Sequence, residues 1–249
     1  MSDRDEFLRN IRSALGRCPG YKFGRPPDET ALSMDSASVS SRAAGIRLQM
    51  VERGSELLSE LTESSEEAGW IVKHAATPVA AREYIVDLAR DLKARSVVRS
   101  SHTVLDKLAL EPAFDSFGVT LQMAGVDEES DKPLEAQRAV IRRNSIEADV
   151  GVTGVEYAIA ETGSCVIVAR KGVSRLVSLT PPVHIAVVKL GQVLPSLDEL
   201  FTLRREQSMV DHLEPYLNII SGPSRSADIE QTIVTGVHGP REAHMVFLD

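Results

Sequence analysis

From Trp70 onward the sequence switches repeatedly between short apolar runs and longer segments with helical spacing. That alternation constrains the fold more than any other feature. Ser96–Arg99, Val119–Met123, Asp149–Val152 and Val183–Lys189 are strand-length and largely apolar, without strict alternation. Between them, Val79–Lys93 carries Ala81, Ile85, Leu88, Ala89 and Leu92 on one helical face. Thr103–Ala109 and Leu134–Glu147 read the same way, the latter through Leu134, Ala139, Ile141 and Ile146. Strands apolar on both sides and separated by helices belong in a parallel sheet covered on both faces. The expected class is α/β, with a parallel-rich central sheet flanked by helices, and Trp70–Lys73 supplies its first strand.

Later segments change rhythm. Ser164–Ala169, Arg175–Leu179 and Val183–Lys189 follow one another as strands with short links, which permits antiparallel pairing. A helix is expected over Ser196–Glu206, a strand over Leu217–Ile220, and a last strand over Ala243–Leu248. Ser221–Gln231, SGPSRSADIEQ, reads as a turn entering a helix. At the other end, Asp3–Arg17 has Phe7, Ile11, Ala14 and Leu15 at helical spacing. It is either packed on the domain or an arm that docks on a partner. Cys18–Ser41, with three prolines and five serines between Ser33 and Ser41, reads as a linker. A helical pattern resumes over Arg42–Thr62. The organisation expected is an N-terminal helix and linker over 1–41 and one domain over 42–249.

Composition excludes several functions. The chain has 28 basic and 36 acidic residues and only 4% aromatics, so it lacks the basic face and stacking platforms of a nucleic-acid binder. No apolar run approaches the ~20 residues of a membrane span. The charged N-terminus has no signal-peptide core, so the expected location is cytoplasmic. Two cysteines, Cys18 and Cys165, are too few for an iron–sulfur cluster. Neither a dinucleotide-binding glycine pattern nor a P-loop is present, and the histidines show no metal-ligand spacing.

The stretch Asp149–Ala169, DVGVTGVEYAIAETGSCVIVA, concentrates the chemistry. Thr153-Gly154 and Thr162-Gly163-Ser164 place hydroxyls and backbone N–H groups at strand ends, where open α/β folds take ligands. Glu161 suits a base, nucleophile or ligand hook, or it anchors its own turn. Cys165 reads as a buried strand residue. Ser224 or Ser226 can cap a following helix. Alternatively, that turn with Arg225 can hold an anion, a reading that Asp228 opposes. His238, in Gly236-Val237-His238-Gly239-Pro240, is a candidate general acid or base or a plain turn residue. Ser100-Ser101-His102 ends a strand and either faces the same crevice or caps the next helix. Arg99, Arg170, Arg175 and Arg225 are the arginines available to clamp a carboxylate.

Two blocks in order, GVTGVEYAIAETGSCVI and SGPSRSADIEQTIVTGVHGPREAHMVFL, resemble the signature of the LUD domain family of lactate utilization proteins. PPVHIAVV and PSLDEL lie between them, and the likeness covers about Arg42–Asp249. It is strongest to the C type, because the cysteine-rich ferredoxin-like part of the B type is missing. The resemblance implies a fold like that of the sugar-phosphate isomerase and CoA-transferase superfamily. It implies a subunit of an L-lactate-oxidising system, without a cofactor of its own and with iron–sulfur clusters in partner proteins. The alternative it leaves is a stand-alone enzyme or binding protein for a phosphorylated or CoA-linked metabolite. The matching positions make Glu161 and His238 the catalytic candidates. Thr153, Gly154, Thr162, Gly163, Ser164, Ser224 and Arg225 become the candidates for binding a small carboxylate or phosphorylated ligand. The two blocks are expected to meet at one crevice.

Overall fold

A computed structural model describes residues 34–127, 129–169, 175–211, 216–227 and 233–248. The helix expected at Asp3–Arg17 and the first part of the linker lie outside the described residues, as do Arg170, Asp228 and Glu230.

The central sheet has six strands, all parallel: β1 (Ile71–Ala75), β2 (Ser96–Arg99), β3 (Thr120–Met123), β4 (Val150–Gly154), β7 (Val183–Lys189) and β12 (Glu242–Leu248). Their spatial order is β1-β12-β7-β4-β2-β3. The parallel-rich expectation is met. Val150, Val152, Val183, Ile185, Val187 and Val246 turn to one face. There they meet α3 (Pro78–Asp91), the short α4 (Thr103–Asp106) and α5 (Leu110–Asp115), through Ala81, Ile85, Leu105 and Phe114.

The other face is covered by a second, smaller sheet rather than by helices alone. It comprises β5 (Tyr157–Ile159), β6 (Ser164–Val168), β8 (Val193–Leu194) and β9 (Leu217–Ile220), in the order β8-β5-β6-β9. Ala158, Cys165 and Ile167 pack inward with α2 (Gly54–Ala68) onto Ala186, Val188, Met245 and Phe247. Alternate residues Ile159 and Val166 face outward onto α1 (Ser36–Glu52) and α8 (Leu197–Val210). The period-two alternation thus serves two cores at once. α6 (Leu134–Glu147) and α7 (Leu176–Leu179) complete this side.

Three segments depart from expectation. Helix α1 begins at Ser36, inside the serine-rich stretch: the Asp35 side chain accepts from Ser38 N–H as an N-cap. Val39, Ala43, Ile46 and Met50 then bury one face of the helix. Arg175–Leu179, with strand-like composition, forms a helical turn. The Val177 carbonyl lies over Gly151, where a Cβ would overlap it, and Thr180 Oγ1 donates to Leu176 O at 2.8 Å. At Ser224–Ala227 the expected helix start is replaced by strand, and the remainder of the expected helix lies outside the described residues. Arg225–Ala227 is β10, paired antiparallel with β11 (Ile233–Thr235).

Candidate functional site

The two signature blocks meet, around the C-terminal turn of α2. Gly163 (φ +59) lies on Ser64, and a Cβ there would overlap the Ser64 carbonyl. Ser64 Oγ donates to Ala160 O at 2.6 Å, and Trp70 Nε1 donates to Gly163 O at 2.8 Å. From the second block, Gly222 (φ +91) lies on the Ala68 carbonyl, which also accepts from Arg225 Nη2 at 2.8 Å. The blocks then touch directly. Ser164 Oγ lies 2.8 Å from Thr162 Oγ1 and 2.6 Å from Ser221 Oγ.

Ser224 holds the loop of His238. Its N–H donates to Pro240 O at 2.8 Å, its carbonyl accepts from Gly236 N–H at 2.9 Å, and its hydroxyl accepts from His238 N–H at 3.2 Å. Ser224 is therefore a loop clamp, not the cap of a following helix. His238 and Glu161 are both exposed, and the Glu161 N–H donates to Pro195 O.

Thr153 and Gly154 lie elsewhere. Trp70 immediately precedes β1 and holds Gly163, so the Glu161–Ser164 loop sits by the amino edge of the parallel sheet. Gly154 closes β4 at the carboxyl edge. The expectation that both loops share one edge does not hold, because β5 carries the chain back across the sheet face between them. Thr153 is fully buried, with Oγ1 2.9 Å from His184 Nε2. His184 packs beside the Trp70 ring, 6.0 Å between centroids. Burial lowers its pKa to about 3, with a smaller contribution from His244, so the imidazole is neutral. Burial pushes the Cys165 thiol up to about 12, which removes it as a nucleophile.

At the carboxyl edge Gly154 packs against the His102 ring, and a Cβ would overlap it. His102 Nδ1 accepts from Val104 N–H at 3.2 Å, capping α4. Its Nε2 faces Glu156 Oε1 at 3.7 Å. Ser100 is buried and its hydroxyl has no hydrogen-bond partner. Sequence flags Ser100 to His102 as a strand end. It does not flag Glu156, whose position depends on β4 and β2 being neighbours.

Of the arginines, Arg99 is buried and bonded to Glu111 (2.6 Å), Asp106 (3.2 Å) and Ser100 O (3.1 Å). Arg175 stacks on Tyr216 at 4.7 Å, and Arg225 caps α2. A separate cavity of about 200 Å³, lined by Val86, Arg90, Lys93, Phe114 and Phe117, opens between α3 and α5 on the opposite face. No group of three or more potential metal ligands occurs among the described residues, and no described helix is long and apolar enough to cross a membrane.

Six parallel strands under a helical layer and a small accessory sheet, with polar loops at the strand ends, define an open-sheet α/β protein. Residues 58–248 match the LUD domain model, and the chain belongs to that family. It is 28% identical to lactate utilization protein C of Halalkalibacterium halodurans, over 99% of this chain and 97% of that one. It is 25% identical to lactate utilization protein B of Geobacillus kaustophilus over 84% of this chain, and spans about half (51%) of that protein. A crystal structure of a DUF162 family protein from Deinococcus radiodurans superposes with a TM-score of 0.51 and 19% identity, over 79% of this chain and 98% of that one, a likeness of fold.

Proposed function

We propose that the chain is a cluster-free subunit of an L-lactate utilization system, acting with iron–sulfur partner proteins in the oxidation of L-lactate to pyruvate. The observation that carries this reading is the end-to-end similarity to a lactate utilization protein C. The two-cysteine content supports placing the clusters in other chains. Deleting the gene should abolish growth on L-lactate as sole carbon source while growth on pyruvate continues. In a strain without another lactate dehydrogenase, undiminished growth on lactate would overturn the proposal.

A further inference from the structure

We propose that the cavity between α3 and α5 is a binding site for a small carboxylate with an apolar, ring-sized body, its carboxylate held by Lys93 at the rim. The site is separate from the clasp of the two signature blocks and does not depend on the lactate reading.

The cavity is the first observation. Its volume is about 200 Å³, and an apolar cavity of about 150 Å³ is large enough to take up benzene. Val86, Ala94, Phe114 and Val119 give it apolar walls. Phe117 completes the lining while remaining 52% exposed. The Arg90 guanidinium lies 4.5 Å from the centroid of the Phe117 ring and pairs with Asp87 Oδ1 at 2.8 Å. These two contacts hold the ring in place. They also make Arg90 part of the wall, so the charge left for a ligand is that of Lys93.

Lys93 is the second observation. Helix α3 ends in a Schellman motif, in which Lys93 N–H donates to Arg90 O and Ala94 N–H to Ala89 O, both at 2.9 Å. The residue in the left-handed position of this motif is Lys93, with φ +53. Glycine takes that conformation freely, whereas a residue with a side chain is strained in it. A cation suits the end of a helix, but Arg90 already supplies one in the last turn of α3. The Lys93 residue is exposed and has no ion pair among the described residues. Backbone strain that sets an unpaired ammonium at the rim of an apolar cavity fits a functional demand on the side chain.

The lining then decides the ligand class. It contains two cations and no anion, and none of its side chains carries an oxygen. A carboxylate at the rim meets favourable charge. A hydroxyl on the buried part of the ligand would find no acceptor among these side chains and would lose its hydration. This disfavours lactate itself and selects a carboxylate whose body is wholly apolar, for which benzoate is the simplest probe.

The test titrates benzoate, benzyl alcohol and L-lactate into the full chain, methyl-labelled at valine and followed by NMR. Benzoate should move the Val86 and Val119 signals with a dissociation constant of about 1 mM or lower, within reach of a ligand of this size. Benzyl alcohol has a similar shape without the charge, and should bind at least about three-fold more weakly, as expected for an ion pair at a rim. L-Lactate should leave both signals in place. Lys93→Gly should melt at or above the wild-type temperature and bind the two aromatic probes equally. Phe117→Ala should weaken benzoate binding at least about ten-fold through the lost wall. Val86 and Val119 signals that stay in place at about 10 mM benzoate overturn the site. So do movement of the same signals by L-lactate, equal wild-type affinity for the two aromatic probes, and undiminished binding in Phe117→Ala. A Lys93→Gly protein that still prefers benzoate, or that melts well below wild type, removes Lys93 as the holding group and overturns the proposal as well.

Discussion

His184 sits in VHIAVV, a run that reads as plain β-prone sequence, yet it is a fully buried imidazole bonded to Thr153. The sequence carries no signal for this, because Thr153 lies on a different strand and Trp70 precedes β1, far away in the chain. The consequence is a pH dependence. The folded pKa, about 3, lies below the ordinary 6.5, so as pH falls the unfolded chain takes the proton first. The stability this residue contributes is complete above about pH 6.5 and is lost as pH falls towards 3. His244 is also lowered, by burial against the opposing pull of Glu242, and adds with the same sign. At pH 5 the His184 contribution amounts to about 2 kcal/mol lost. Urea unfolding at pH 7.5 and pH 5 should show this loss in the wild type and a shallower one in His184→Gln, whose amide can keep the bond to Thr153. Parallel losses in the two proteins would contradict the assignment.

At the scale of elements, the signature blocks act as a clasp on the end of α2. Glycines 163 and 222 allow backbone to touch helix backbone, Arg225 satisfies a terminal carbonyl, and Ser164 and Ser221 join the two blocks. The clasp is measurable. A double-mutant cycle of Ser164→Ala and Ser221→Ala should return a coupling of about 1 kcal/mol in urea unfolding. Additive effects would mean that the blocks are merely adjacent. The same elements show what sequence can convey. Ser96–Arg99, Leu134–Glu147, Val183–Lys189 and Leu217–Ile220 form with the expected type and bounds, because their patterns are local and burial agrees with them. Arg175–Leu179 is helical, with the Val177 carbonyl lying over Gly151 on a neighbouring strand, a contact that the segment's own composition does not announce. Ser224 and Ser226 look like caps, but the hydrogen-bond partner of Ser224 lies 14 residues on, at His238, and Ser226 pairs with Val234 in a ladder. Of the two family blocks, Ser164 and Ser221 are brought into contact. Glu156 stands out only once β2 and β4 are known to be neighbours.

For the molecule as a whole, the layering decides what the chain can carry. One face of the parallel sheet is sealed by α3, α4 and α5. The other is sealed by the accessory sheet and α2, which α1 and α8 cover in turn. Cys165 is spent in that packing: it is fully buried on β6, and burial pushes its thiol to about 12. Metal binding needs the thiolate, so this sulfur is unavailable without opening the fold. Only Cys18 remains in the chain, and a single thiolate does not hold a cluster. The proposal that redox centres belong to partner proteins therefore makes a direct prediction. After anaerobic reconstitution with iron and sulfide, followed by desalting, the purified chain should retain far less than one iron per chain and show no visible charge-transfer absorbance. The same treatment of the co-purified system should give a brown preparation whose iron elutes with cysteine-rich chains. Stoichiometric iron on this chain alone would place the redox centre here and remove the division of labour from the proposed function.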